Sequence, residues 1–403
     1  MTVQQVVPSF ESVSLDAALD RVVASPSLAP FAEEVIGFCS DFSRAIFKDS
    51  EAAYYPELQA LAFWMRKAEL VRLRDAFLEE RRAGASLVPQ GVAFHIPPAN
   101  VDTIFVYSWL LSVLAGNRNI VRLSHRVSPQ TEILCRLFNA ALQSAPALST
   151  STLMLRYGHE REITEAISAR ADIRVIWGGD ASVNSIRTIR LPPHARELTF
   201  PDRYSFAVLR ASSYLEASDR RPIAEHFFND TFWFDQMACS SPRLVFWEGS
   251  ADRAASASAD FLNLLQQHAV RKQYEATPAT RMARFTFACA EAMEGGASSY
   301  QDFGQFAVLG LDRYDQLTRE HCGGGLLFQY RIASLDELLP FVTRRDQTLT
   351  YFGFDRAELS AFAARLNGRG LDRLVPIGQA LNFNRFWDGN DLLLSFLRYV
   401  HIA

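Results

Sequence analysis

Cys239, in the stretch FWFDQMACSSPRLVFW, is the thiol best placed to do chemistry. A cysteine attacks only as its thiolate, so a catalytic one needs access and a lowered pKa. Cys239 follows a helical pattern and precedes a strand-like run, which puts its backbone at a turn where N–H groups can be left free. Ala238, Ser240 and Ser241 beside it are small enough for a substrate to approach. The competing reading is a core cysteine, and residue type alone does not separate Cys239 from Cys39, Cys135, Cys289 and Cys322. Gly178-Gly179 closes the run IRVIW. Glycines there let a helix N-terminus approach a pyrophosphate, although an ordinary tight turn uses the same pair. Arg122, Ser124, His125 and Arg126 follow another apolar run. They suit a nucleotide phosphate or a solvated loop equally.

Other chemistries are excluded by what is missing. Only Lys48, Lys67 and Lys272 occur; none completes a phosphate-binding GxxxxGK[ST] loop, and none follows a tyrosine by four positions. There is no GxSxG elbow and no GxGxxG. Five cysteines, an odd number without CxxC spacing, argue against a disulfide framework and a cysteine zinc site, and fit a reducing cytoplasm. The histidines form no HExxH, so no metal is expected. Forty-one basic against 45 acidic side chains, with no long block of either sign, leave a nucleic acid no electrostatic footprint. The opening MTVQQVVPSFESVSLDAAL lacks the basic and apolar regions of a signal peptide. The longest apolar run, Thr103 to Gly116, falls short of the ~20 residues that cross a bilayer. A soluble, cytoplasmic protein is expected.

These residues must be held by ordered elements, and 403 residues with 49% hydrophobic content supply two or three domains. Residues 50–83 read as one long helix or two joined ones. VAFHI (92–96), NIVRL (119–123), LMLRY (153–157) and IRVIW (173–177) read as strands. Helices from Thr103, from Ser128-Pro129 and over 160–170 alternate with them. That spacing predicts a parallel, doubly wound sheet over the first ~200 residues, with ligands at the carboxyl ends of its strands. SFAVL (205–209) and RLVFW (243–247) are later strands around a helix at 222–234. Helices follow at 252–276 and 281–293, then a Gly/Ser-rich turn at 295–299.

In this order the pieces resemble the aldehyde dehydrogenase superfamily. FHIPPANVDTIFVYSWLLSVLAGNRNIVRLS is similar to its proline-rich turn, asparagine, helix and following strand; IRVIWGGD to its strand and glycine turn; DQMACSSPR to its cysteine loop. GNRNIVRLS, DRYSFAV, QMACSSPR and GLDRLVPIGQALNFNRFWDGNDLL narrow the resemblance to the LuxC fatty acyl-CoA reductases, over about residues 85–403.

The resemblance implies an α/β, aldehyde dehydrogenase-like fold. It has a doubly wound parallel-sheet cofactor domain (1–204) and an α/β catalytic domain (205–370). A C-terminal segment (371–403) would return to the cofactor domain or to an oligomer interface. The implied reaction is reduction of an acyl thioester, on CoA or a carrier protein, to the aldehyde. Cys239 would be the nucleophile, and the Asn100 amide an oxyanion donor. Ile96, Pro97, Arg122, Ser124, Trp177, Gly178 and Gly179 would bind the dinucleotide. His125 stands where NAD-preferring relatives carry a glutamate, and Arg126 follows it, so NADPH is the implied cofactor. Glu197 in RELTFPDRYSFAVL stands near the family's deacylating glutamate, but no GGK follows and the next strand lies two residues further on. Glu320 in EHCGGG is similar to a later family glutamate, or is a plain surface residue. A homo-oligomer is implied, and a complex with an acyl-activating or acyl-transfer enzyme is compatible with it. The rival readings are an oxidative aldehyde dehydrogenase, a reductase of acyl phosphates, and a non-catalytic acyl-accepting subunit.

Overall fold

Val92–Ile96 is buried at all five positions, as a strand covered on both faces must be. It lies at the centre of a seven-stranded sheet. The order is Glu11–Ser14, Thr2–Val7, Thr152–Arg156, Arg118–Leu123, Val92–Ile96, Ile173–Trp177 and Arg196–Phe200. The last five run parallel. Thr2–Val7 joins antiparallel, with Glu11–Ser14 as its hairpin partner, so the expected parallel sheet carries an antiparallel margin. The computed structural model describes residues 1–80, 85–294, 296–315 and 317–402.

Between the strands, local sequence explains the helices. Ile104–Leu114 is apolar all round and buried from Phe105 to Leu114, the pattern of a helix with no solvent face. It stops at Gly116, whose φ of 88° puts a hypothetical Cβ 2.1 Å from Leu28 O, so only glycine fits. Pro129–Leu142 opens with Ser128 accepting the Thr131 N–H and proline in the first turn. The expected helix over 50–83 is two, Pro56–Trp64 and Lys67–Glu79; residues 81–83 lie outside the described residues.

The second sheet follows the order Ala297–Asp302, Ala307–Leu311, Leu326–Ile332, Leu244–Glu248, Tyr204–Arg210, Asp346–Phe352, Arg373–Pro376. Successive side chains of its central strands feed opposite faces. Phe206, Val208, Leu244 and Phe246 enter one core, while Ala207, Leu209, Val245 and Trp247 enter the other. Only Ala297–Asp302 is antiparallel. It occupies most of the expected turn at 295–299, whose Gly295 lies outside the described residues. Its polar side chains suit an edge strand with one exposed face.

The chain forms two compact units, Met1–Pro201 with everything from Phe383 onward, and Asp202–Asn382. The expected divisions were after 204 and 370. Residues 371–382 stay with the second unit because Asp230 accepts the N–H groups of Gly378 and Ala380 at 2.6 and 2.9 Å. In the first unit, Leu397–His401 pairs antiparallel with Ala85–Pro89. Among the described residues no helix is long and apolar enough to cross a membrane, and no cluster of metal-ligating side chains occurs.

Candidate active site

Cys239 sits in the turn between the helix Arg221–Phe232 and the strand Leu244–Glu248. The turn is bent by Asp235 and Gln236, both at positive φ (48° and 63°). Such backbone persists only where surrounding contacts enforce it, and here they are numerous. Gln236 Nε2 donates to Pro242 O and Leu326 O at 3.1 and 3.0 Å. Gly324 N donates to Asp235 O at 2.7 Å. Ser205 Oγ donates to Cys239 O at 2.7 Å, and Arg243 Nη2 to Ala238 O at 3.1 Å. Gln347 Nε2 donates to Cys239 Sγ at 3.5 Å.

Burial now separates the five free thiols. It pushes Cys39 far up, Cys135 up to about 12 and Cys322 up as well. A thiol so raised is a poor source of thiolate. Cys289 lies exposed on the helix Pro278–Met293. Cys239 is the half-buried thiol in a shaped turn, with a side-chain amide on its sulfur.

In the first unit the remaining candidates divide. Asn100 is exposed in the bend before Ile104–Leu114, and its amide makes no hydrogen bond within the described residues. Pro97 is half-buried at the carboxyl end of the central strand, whereas the Ile96 side chain belongs to the core beneath. Trp177 is packed within the first unit. Its ring stacks on Phe200 at 3.8 Å and its Nε1 donates to Ser108 Oγ at 3.2 Å, so the indole packs inward and only its backbone is left to line a cleft. Gly178 has a Cβ position meeting nothing closer than Ser182 Cβ at 3.5 Å. That is an ordinary contact distance, so the protein's own packing does not require glycine there. Gly179 is the extended N-cap of Asp180–Arg187, and Asp180 puts a carboxylate in that helix's first turn.

Glu197 is engaged by two arginines. The buried Arg174 donates to its Oε2 from Nε at 2.9 Å and from Nη2 as well, and Arg187 Nε donates to Oε1 at 3.2 Å. The cause is register: Arg174 and Glu197 are direct partners on neighbouring parallel strands. A carboxylate with both oxygens held by guanidinium groups is a structural ion pair and not a base poised for water.

Arg122 is half-committed too, donating to Tyr157 O and Gly158 O. Ser124 Oγ accepts the Arg126 N–H at 3.1 Å, which fixes the turn and leaves Arg126 exposed. Glu160 comes from the neighbouring loop to within 3.7 Å of His125 Nε2. The fold thus returns a carboxylate to the place where position 125 lacks one. Hydrogen bonding from its own backbone N–H, then from Gly158, and the nearby His125 hold the Glu160 carboxyl below its usual range. Exposed Arg126, His125 and Glu160 lie past the carboxyl ends of their strands, the end at which sheets of this kind take their ligands.

A family model described as acyl-CoA reductase (LuxC) matches residues 59–399. The chain belongs to this family. Curated relatives include the long-chain acyl-protein thioester reductase of Aliivibrio fischeri, 23% identical over 333 residues, or 82% of this chain and 67% of that one. The Photorhabdus luminescens protein of the same name is 22% identical over 76% of this chain and 62% of its own length. Among solved structures, a lactaldehyde dehydrogenase superposes with a TM-score of 0.67 at 10% identity, covering 100% of this chain and 95% of its own. Betaine aldehyde dehydrogenase from Staphylococcus aureus, solved with NAD+, gives 0.66 at 12%, covering 100% and 90%. The fold of this LuxC-family chain is therefore the α/β aldehyde dehydrogenase fold.

Three residues carried no role in the sequence reading: in the second unit Gln347 on the Cys239 sulfur and Arg243 on the carbonyl before it, and in the first unit Glu160 beside His125. Arg243 stood inside the quoted motif QMACSSPR, so its place four residues past the cysteine was a usable signal. Gln347 and Glu160 carry none, because each arrives from a separate strand end.

Proposed function

We propose that this LuxC-family protein reduces acyl thioesters, on CoA or a carrier protein, to aldehydes through an acyl group carried on Cys239, with NADPH as reductant. The observation that carries the reading is the Cys239 turn, which among the described residues offers a thiol both partly accessible and bonded at sulfur by a side-chain donor. Cys239 sulfur attacks the thioester carbonyl carbon, and the carbonyl electrons move to oxygen. The Asn100 amide, uncommitted within its own unit, is the donor assigned to that oxyanion. As the carbonyl re-forms, the donor's C–S bond breaks and its thiolate leaves, so the acyl group stays on Cys239. Arg126, His125 and the backbone at Gly178 are the groups assigned to the dinucleotide, which when bound supplies a hydride to the acyl carbon. Cys239 finally acts as the leaving group, keeping the electron pair of its C–S bond as the aldehyde departs. Glu197 takes no part, because its oxygens are occupied by Arg174 and Arg187. Without such a base the acyl-enzyme resists water. A reducing cytoplasm suits the five free thiols.

Intact-protein and peptide mass after mixing with acyl-CoA or an acyl carrier protein tests this. The expected result is one acyl group on Cys239 that persists without cofactor and becomes aldehyde when NADPH is added. Cys239→Ser should retain less than a few per cent of aldehyde formation. Label on Cys135 or Cys289, or rapid release of free acid, overturns the reading.

A further inference from the structure

The second unit contains a buried charge whose counter-ion is not obvious. Arg243 is 1% exposed. Its Nη1 donates to Arg203 O at 3.2 Å and its Nη2 to Ala238 O at 3.1 Å. Its Nε has no partner among the described residues, and no carboxylate among them forms an ion pair with it. Two carbonyl dipoles do not neutralise a guanidinium, and an uncompensated buried cation is strongly unfavourable.

The groups facing Arg243 narrow the choice of partner. The Tyr204 ring lies 5.7 Å from the guanidinium carbon, but burial raises that phenol, so it stays protonated at neutral pH. Asp202 is exposed, so water and salt screen its charge. Asp346 is already taken by Arg319, at 2.8 and 3.0 Å. His321 stays neutral, because burial and then the Arg243 charge push it down to about 3. Cys239 remains. It is adjacent to the carbonyl that Arg243 grips, and its ionised form favours the guanidinium.

We propose that Arg243 is a positioning residue whose buried guanidinium holds Cys239 as its thiolate. In this ionisation the S–H bond breaks, the proton leaves to water and the electron pair stays on sulfur. The Gln347 Nε2 donor at 3.5 Å then faces a charged acceptor, and charge-assisted hydrogen bonds are the stronger kind. The cation thus serves the turn twice, by fixing the Ala238 carbonyl and by setting the potential at the next residue's sulfur. The inference rests on Cys239 being the nucleophile.

The test is alkylation of the full-length protein with iodoacetamide over a pH series, each cysteine followed by its peptide mass. In the native protein the midpoint for Cys239 should lie about a unit or more below that of exposed Cys289. Arg243→Gln should raise the Cys239 midpoint by about a unit or more and leave Cys289 alone. Arg243→Lys, which restores a cation but not the fork of donors, should bring it most of the way back. A native Cys239 midpoint at or above that of Cys289 overturns the proposal, and needs no variant to fold. A folded glutamine variant with an unmoved midpoint overturns it as well. Acylation of Cys239 by a thioester alongside an unmoved midpoint removes this inference and leaves the proposed function standing. A lowered midpoint with acyl label on another cysteine overturns the proposed function, and with it the positioning role given to Arg243, while leaving the ion pair itself.

Discussion

At the scale of single residues, Asn100 and Glu197 show how differently two positions of one family pattern can be used. Glu197 is bound on both oxygens by Arg174 and Arg187. Asn100 is exposed, with an amide that no group of the described residues engages. A side chain that builds a turn normally shows the bond that builds it, and Asn100 shows none. Asn100→Ala should therefore lower turnover by about 10²–10³, the usual cost of removing one oxyanion donor. The thermal midpoint should stay that of the parent. Measuring both on the same preparation decides the matter: a fallen midpoint with intact acylation of Cys239 makes Asn100 a turn-forming residue.

At the scale of elements, the proposed function assigns cofactor choice to the loops at the carboxyl ends of Arg118–Leu123 and Thr152–Arg156. The first loop supplies exposed Arg126 and His125, and the second supplies Glu160 opposite them. A 2′-phosphate gains from the cation and loses from the carboxylate, whereas a ribose hydroxyl does the opposite. Arg126→Ala should narrow the ratio of kcat/KM for NADPH over NADH, and Glu160→Gln should widen it. Equal changes with both cofactors would show that these loops do not meet the adenosine ribose. The contributing strands were legible in sequence, since VAFHI, LMLRY and IRVIW are apolar at nearly every position, as fully buried parallel strands are. The margins were not. TVQQVV and ESVS mix polar and apolar residues, and ASSYQD resembles a turn because an edge strand exposes half its length. Likewise Cys239 became a candidate through its small neighbours and the family-like loop QMACSSPR, while Gln347 gave no such signal. Its contact depends on Asp346–Phe352 pairing with Tyr204–Arg210, a long-range fact absent from either local sequence.

At the scale of the whole molecule, the chain leaves its first unit after Pro201 and returns at Phe383, and Asp230 guards the last stretch before that return. The carboxylate is 1% exposed and accepts Gly378 N at 2.6 Å and Ala380 N at 2.9 Å, while Arg373 donates to Ala380 O at 3.0 Å. Glycine is required at 378, where φ is 94° and a Cβ would meet His226 Cβ at 2.8 Å. Burial outweighs the N–H donors and pushes the Asp230 carboxyl from the ordinary 3.8 up to about 7. Below pH 4 the folded and unfolded chains both hold this proton, and the site contributes no pH dependence. Between about pH 4 and 7 only the folded chain holds it, so unfolding releases a proton and stability falls as pH rises. Above that window both states are ionised and the penalty is constant. Asp230→Asn removes the titration and sets an amide NH2 against one of the two N–H donors, at a cost of about 1–3 kcal/mol. Urea unfolding of both proteins across this range should therefore show the advantage of the parent over Asp230→Asn shrinking between pH 4 and 7 and levelling beyond. An advantage that instead grows with pH would mean the native carboxylate is ionised throughout, held by the Gly378 and Ala380 N–H groups and Arg373 more strongly than burial opposes it.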